Sequence, residues 1–250
     1  MKKQTINWII LSIGIELLLI LSGSCKKKDN NTNPPDTNNC VSSAIFNSNK
    51  TYGALIDIDG NKYKTITIGS QTWMAENLRT TKYRNGDPIE KANAVSAWRS
   101  IISGAYCNFL NTDNCDTIVT YGRLYNWYAM ADSRNVAPPG WHVPTHEDWI
   151  TLITYLGGED SAGVKLKESS TIHWSIPNTS SNNETGFTAL PGGFRGDQGW
   201  YYPMGYNGAW GTSTEIGSYV WHVYMNSGHS YVHPEPGVKN EGVSIRCMKD

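Results

Sequence analysis

One stretch constrains the fold more than any other: Pro138-Pro-Gly-Trp-His-Val-Pro-Thr-His-Glu-Asp-Trp149 and the apolar run to Leu156. Pro138, Pro139 and Gly140 force a turn. Pro144 biases Val143 away from helix, so Trp141-His-Val143 is extended. Thr145 then opens a helix, with Asp148 placed to complete a capping box. Trp149, Leu152, Ile153 and Leu156 follow at i, i+3, i+4 and i+7, one apolar stripe. Gly157-Gly158 ends it, because glycine accepts the left-handed conformation past a helix end. The pattern predicts a core helix near 145–156.

The flanks read mostly as β-structure. Leu55–Ile58, the turn Asp59-Gly60-Asn61 and Tyr63–Ile68 form a hairpin signature, and Gln71–Ala75 follows another turn. Asp87-Pro88 reads as the start of a helix reaching about Ile102, and Gly122–Ala131 and Ala162–Glu168 as short helices. After Trp174 the chain turns to Gly, Asn, Ser and aromatic residues. Short extended pieces stand at 186–190, 210–213, 219–224 and 242–247. Ten Trp, fourteen Tyr and twenty-four Gly, with only 17% charged residues, suit a loop-rich α+β fold with short antiparallel sheets and long loops.

The N-terminus is a separate segment. Lys2 and Lys3 precede an apolar run from Trp8 to Leu21, which ends at Leu21-Ser-Gly-Ser-Cys25. Small residues directly before a cysteine mark a bacterial lipoprotein signal over 1–24, cleaved before Cys25, whose thiol takes the lipid. Glu16 is unusual in such a run. Residues 25–50 are assigned to a polar tether, of which Lys26–Asn39 holds no apolar residue, and residues 51–250 to the folded domain. Loss of Lys2, Lys3 and Glu16 with the leader takes the net charge from −1 to −2, which gives no electrostatic case for nucleic acid. Cys40, Cys107, Cys115 and Cys247 remain as disulfide candidates, with three pairings open.

Six segments in order carry a family resemblance: Asp57–Tyr63, Ile68–Leu78, Tyr121–Trp127, Pro138–Thr145, Gly186–Gly193 and Val243–Cys247. Together they resemble the Fibrobacter succinogenes major paralogous domain, over about Ala54–Asp250. The resemblance implies an exported lipoprotein of the kind common in Bacteroidetes-type bacteria, a C-type-lectin-like fold and no established activity. The family often places a cysteine just before the Pro-Pro-Gly-Trp segment, able to pair with the C-terminal one. Ala137 stands there in this chain, so Cys40 or Cys115 becomes the candidate partner of Cys247.

The chemistry of binding is concentrated in aromatic residues. Trp200, Tyr201, Tyr202, Tyr206 and Trp210 crowd a Gly-rich segment, and exposed rings stack on sugars or anchor proteins. Trp210 reads as core. Trp200, Tyr201 and Tyr206 are the stacking candidates, with Asn207 and Asp197 for hydroxyl groups. A polysaccharide or surface protein is the expected partner, the membrane being reached through the lipid on Cys25 at the outer membrane or cell surface.

Competing readings have weaker support. His142 and His146 are split by Pro144, and turn histidines explain them better than zinc does. His222, His229 and His233 flank a hairpin and would be the residues to gather a metal. Calcium would draw on Asn182, Asn183, Glu184, Asp197 and Glu215, although Asn side chains in loops more often cap the backbone. An enzyme on the same scaffold would be glycosidase-like, with Glu184 and Glu215 as its carboxylates, or resemble the formylglycine-generating enzymes, with Cys107 and Cys115. A structural Cys107–Cys115 disulfide is the simpler reading of that pair. No catalytic residue, resident metal or cofactor is assigned.

Overall fold

The structure is a computed structural model that describes residues 39–178 and 180–250. The signal, Cys25 and the tether up to residue 38 lie outside the described residues. In chain order the elements are β1 Gly53–Ile56, β2 Lys62–Ile68, β3 Gln71–Met74, β4 Glu90–Lys91, α1 Val95–Ser100, β5 Ala105–Cys107, α2 Cys115–Tyr121, β6 Leu124–Tyr125 and α3 Trp127–Met130. They continue with β7 Trp141–His142, α4 His146–Tyr155, α5 Glu159–Leu166, β8 Phe194–Arg195, β9 Tyr201–Tyr202, β10 Asn207–Ile216, β11 Tyr219–Asn226, β12 Val232–Gly237 and β13 Met248–Lys249. The fold is mixed, with many short strands and few helices.

Two sheets organise it. The first runs β1-β2-β3-β13-β7, so the C-terminal strand is inserted between β3 and β7. Met248 faces Trp73 on one side and His142 on the other. The second runs β10-β11-β12. A three-stranded sheet β4-β5-β6 and the hairpin β8-β9 complete the set.

The hairpin of β1 and β2 forms as the Asp-Gly turn requires. Asp57 Oδ1 accepts from the Asp59 and Asn61 amides, both at 2.9 Å, and Oδ2 accepts from the Tyr63 hydroxyl at 2.6 Å. Gly60 supplies the positive φ, at 81°. The cap of α4 also matches the sequence pattern. The Asp148 amide donates to Thr145 Oγ1 at 3.1 Å, and the Thr145 amide donates to Asp148 Oδ2 at 2.8 Å. The stripe Trp149, Leu152, Ile153 and Leu156 is buried. Trp149 packs 5.0 Å from Trp73 and 5.7 Å from Phe187, ring to ring. Trp210 is fully buried in the same cluster.

Several expectations are corrected. The helix from Asp87 to Ile102 shrinks to α1, because the chain first turns and pairs. The Tyr83 amide bonds Asp87 O at 2.9 Å, the Ile89 amide bonds Thr81 O at 2.8 Å, and β4 runs beside β5. The helix expected over Gly122–Ala131 begins only at Trp127. Tyr125 instead exchanges backbone hydrogen bonds with Val243, at 2.8 and 3.0 Å, and Asn126 then caps α3. The extended pieces at 186–190 and 242–247 are loops held by isolated bridges, Lys167 with Ala189 and Tyr125 with Val243 among them. Residues 40–50, assigned to the tether, pack on the domain. Cys40 is bonded to Cys115 of α2, and the Val41 amide donates to Asp116 Oδ1 at 2.8 Å.

Leu152→Ala should cost about 2–5 kcal/mol of stability, since the fully buried side chain leaves a cavity between helix and sheet. Equilibrium denaturant unfolding measures it.

Candidate functional site

The second sheet has two unlike faces, and the alternation of its sequence makes them so. One face carries Trp210, Val223, Met225 and Val232 into the core beneath α4 and α5. The other carries, in register, Asn207 opposite Asn226, Ala209 opposite Tyr224, Tyr224 opposite His233 and His222 opposite Glu235. Over the middle of β10, at Gly211, this second face is covered. Gly211 has no room for a Cβ, which would collide with the Met130 thioether. Over β11 and β12 it opens into a groove of about 460 Å³.

Rings wall the groove. Phe194 of β8 and Tyr202 of β9 stack at 4.2 Å, nearly parallel, and Tyr224 meets Phe194 edge-on at 5.6 Å. Tyr231 forms the other end, stacked on His229 at 4.7 Å. Two carboxylates share the lining, Glu235 and Glu241. His222 Nδ1 and the Tyr224 hydroxyl both point at Glu241 Oε2, at 3.0 and 3.1 Å. Burial and the neighbouring Glu241 hold the Tyr224 phenol well above its ordinary pKa, so it remains a donor. Glu235 pairs with His233 at 3.2 Å. The turn after β11 is held from behind by Lys167, whose Nζ donates to the backbone oxygens of Asn226 and His229 at 3.1 and 2.8 Å. Burial lowers that amine to about 8.

Residues 66–249 match the Fibrobacter succinogenes major domain. The chain belongs to that family. No curated protein and no solved structure matches it.

The candidates named from the sequence of this family member are only partly brought together. Asn207 lines the groove and accepts from Asn226 Nδ2 at 3.0 Å. Trp200 sits at the tip of the β8–β9 hairpin, 74% exposed, and Tyr206 is 51% exposed in the loop before β10; neither lines the groove. Asp197 accepts from Gln198 in the hairpin turn. Tyr201 is spent on packing: its hydroxyl donates to Asn111 Oδ1 at 2.9 Å, and its ring meets Phe109 and the Arg195 guanidinium. Tyr224, Tyr231, Glu235 and Glu241 are missed by the sequence reading, which names His233 only as a metal candidate. The period-two pattern His222, Tyr224, Asn226 and His233, Glu235 was the signal available for most of them.

The competing sites disperse. Asn183 is buried against Thr188, Glu184 pairs with Lys165, and Glu215 pairs with Lys239. His229 stacks on Tyr231, while His222 and His233 each face a glutamate. Among the described residues the metal-ligating groups gather only at Cys40, Cys115 and Asp116, where the two sulfurs already form the disulfide. The expected pairings of Cys107 with Cys115, and of Cys247 with Cys40 or Cys115, are therefore corrected. Cys107 and Cys247 are buried free thiols, and burial pushes both up in pKa, against a reactive role. The packed residues 40–45 bring Cys40 to α2, a proximity invisible across 75 residues of sequence.

One cluster has the order of a hydrolase relay. Ser43 Oγ lies 2.9 Å from His173 Nε2, and His173 Nδ1 lies 2.7 Å from Glu168 Oε2. The amides beside the serine are already spent, however. Ser43 N–H donates to Thr120 Oγ1, Ala44 N–H to Ser42 Oγ and Ile45 N–H to Glu168 Oε1. They therefore do not form an oxyanion hole. The cluster clasps residues 40–45 to α2 and to the loop after α5. His173→Ala should lower stability by about 1–3 kcal/mol, because the buried Glu168 carboxylate keeps only the Ser170 hydroxyl on Oε2 and Ser43 Oγ loses its imidazole partner. Denaturant unfolding measures the loss. A fluorophosphonate probe should leave Ser43 unlabelled, and an adduct found there by mass spectrometry would assign it to catalysis instead.

Proposed function

We propose that the protein is an exported lipoprotein, anchored through Cys25 at the outer membrane or cell surface, whose C-type-lectin-like domain binds a glycan without transforming it. The observation that carries this reading is the open groove between the β8–β9 hairpin and the β10–β12 sheet, walled by Phe194, Tyr202, Tyr224 and Tyr231. Flat rings offer the apolar faces on which a sugar stacks. Asn207, Asn226 and the tyrosine hydroxyls offer bonds to its hydroxyl groups. Both faces of the groove stand on paired strands, so binding orders little that is not already ordered. A small-residue sequence before Cys25 supports the anchor, and the described helices hold none long and apolar enough to cross a membrane.

Glycan-array screening of the full chain in detergent should return binders. Tyr202→Ala and Tyr231→Ala should each weaken them by up to about tenfold, the stacking energy of one ring being about 0.5–1.5 kcal/mol, with the melting temperature nearly unchanged. Loss of binding in Trp200→Ala but in neither groove variant would move the site to the hairpin tip. Cys25→Ala should leave the precursor uncleaved or release the protein, read by lipid labelling and membrane fractionation.

A further inference from the structure

The groove has a charge as well as a shape. Glu235 and Glu241 line it, and among its lining residues there is no lysine or arginine. Their partners are the Tyr224 hydroxyl and the His222 and His233 imidazoles, and an imidazole offsets a carboxylate only when it is protonated. Each carboxylate meets its neighbours through Oε2, while Oε1 takes no part in those pairs. The side chain of Glu241 is 19% exposed at the groove, where an unmatched charge is screened less than on an open surface. Aromatic faces stand beside the carboxylates, and a ring face attracts a cation for the same electrostatic reason.

Resting on the glycan reading above, we infer that the ligand carries a protonated amine on its sugar ring: the groove selects a glycan with free amino groups over its acetylated or neutral counterparts. The amine sits between Glu235 and Glu241, and the sugar's apolar face lies on Tyr202 or Tyr231. A neutral sugar would leave the carboxylates desolvated without a counter-charge, which disfavours it. A bare polycation would satisfy the carboxylates but leave Asn207 and Asn226 without hydroxyl partners.

The test is isothermal titration of the full chain in detergent with four probes of equal length: a glucosamine hexamer, an N-acetylglucosamine hexamer, a glucose hexamer and hexalysine. The glucosamine hexamer should bind at least about tenfold tighter than the other three, and its affinity should fall with added salt. Glu235→Gln, at an exposed position, and Glu241→Gln should each bring it toward the level of the neutral hexamers. Tyr202→Ala should weaken all the sugars alike. Equal or tighter binding of a neutral hexamer overturns the inference and leaves the glycan reading standing. Hexalysine binding as tightly as the glucosamine hexamer overturns the assignment to a sugar. If no glycan binds here or on an array, the glycan reading fails and this inference with it. Melting temperatures of the variants separate lost binding from lost folding.

Discussion

The side chain of Asn77 holds together segments that share no continuous sheet. Its Oδ1 accepts from Trp210 Nε1 at 3.0 Å and from Arg246 Nε at 2.9 Å. Its Nδ2 donates to Tyr121 O at 2.8 Å and reaches Ser244 Oγ at 3.2 Å. Arg246 carries the network on, donating to the carbonyls of Phe187 and Thr188, with its guanidinium 4.3 Å above the Phe187 ring. Burial lowers this guanidinium to about 9, a measure of what desolvation costs it. It has no carboxylate partner in these bonds. Carbonyl dipoles and a ring face replace water, and removal of Asn77 would leave both an arginine and an indole short of acceptors.

This network explains what the family resemblance was made of. Of its six segments, Ile68–Leu78 contributes Asn77, Tyr121–Trp127 contributes the Tyr121 carbonyl, Gly186–Gly193 contributes Phe187 and Thr188, and Val243–Cys247 contributes Ser244 and Arg246. Gly122 has to be glycine there: its φ is 76°, and a Cβ would stand 2.6 Å from that of Asn77. Asp57–Tyr63 closes its own turn, and Pro138–Thr145 places β7 beside β13 and caps α4. These segments therefore encode the scaffold. Every residue lining the groove falls in the interval 194–241, between the fifth segment and the sixth.

That division sets what could be read from the sequence. The Thr145 cap, the stripe to Leu156 and the Asp-Gly hairpin are local, and local chemistry decides them. The lengths of the helices after Asp87 and Gly122 are not local, because β4 pairs with β5 and Tyr125 pairs with Val243, 118 positions along the chain. The Cys40–Cys115 bond depends likewise on residues 40–45 docking against α2. Composition found the aromatic segment around Trp200, but exposure sorted it. Asn207 reached the groove, Tyr201 turned inward onto Arg195, and Trp200 pointed away at the hairpin tip. The rings that do line the groove come from β8, β9, β11, the loop residue Tyr231 just before β12 and His233 within it, and only the register of the sheet puts Tyr224 beside His233 and His222 beside Glu235.

The loops of this domain are long, yet buried cations hold several of them in place. Arg195 donates to the carbonyls of Ala92 and Asn93 at 2.7 and 3.0 Å, and lies over Trp98. Arg123 donates to Arg79 O at 2.9 Å and to Asn108. Lys167 does the same for the turn after β11. Each cation gives up hydration and recovers it from carbonyls that would otherwise be unpaired in irregular backbone. Arg195 matters most for the groove, because it belongs to the same short strand as Phe194. The strand that fixes Arg195 inward thereby fixes Phe194 outward, against Tyr202 and Tyr224. A buried charge on one face of β8 thus positions an aromatic wall on the other, and the groove has its shape before any ligand arrives.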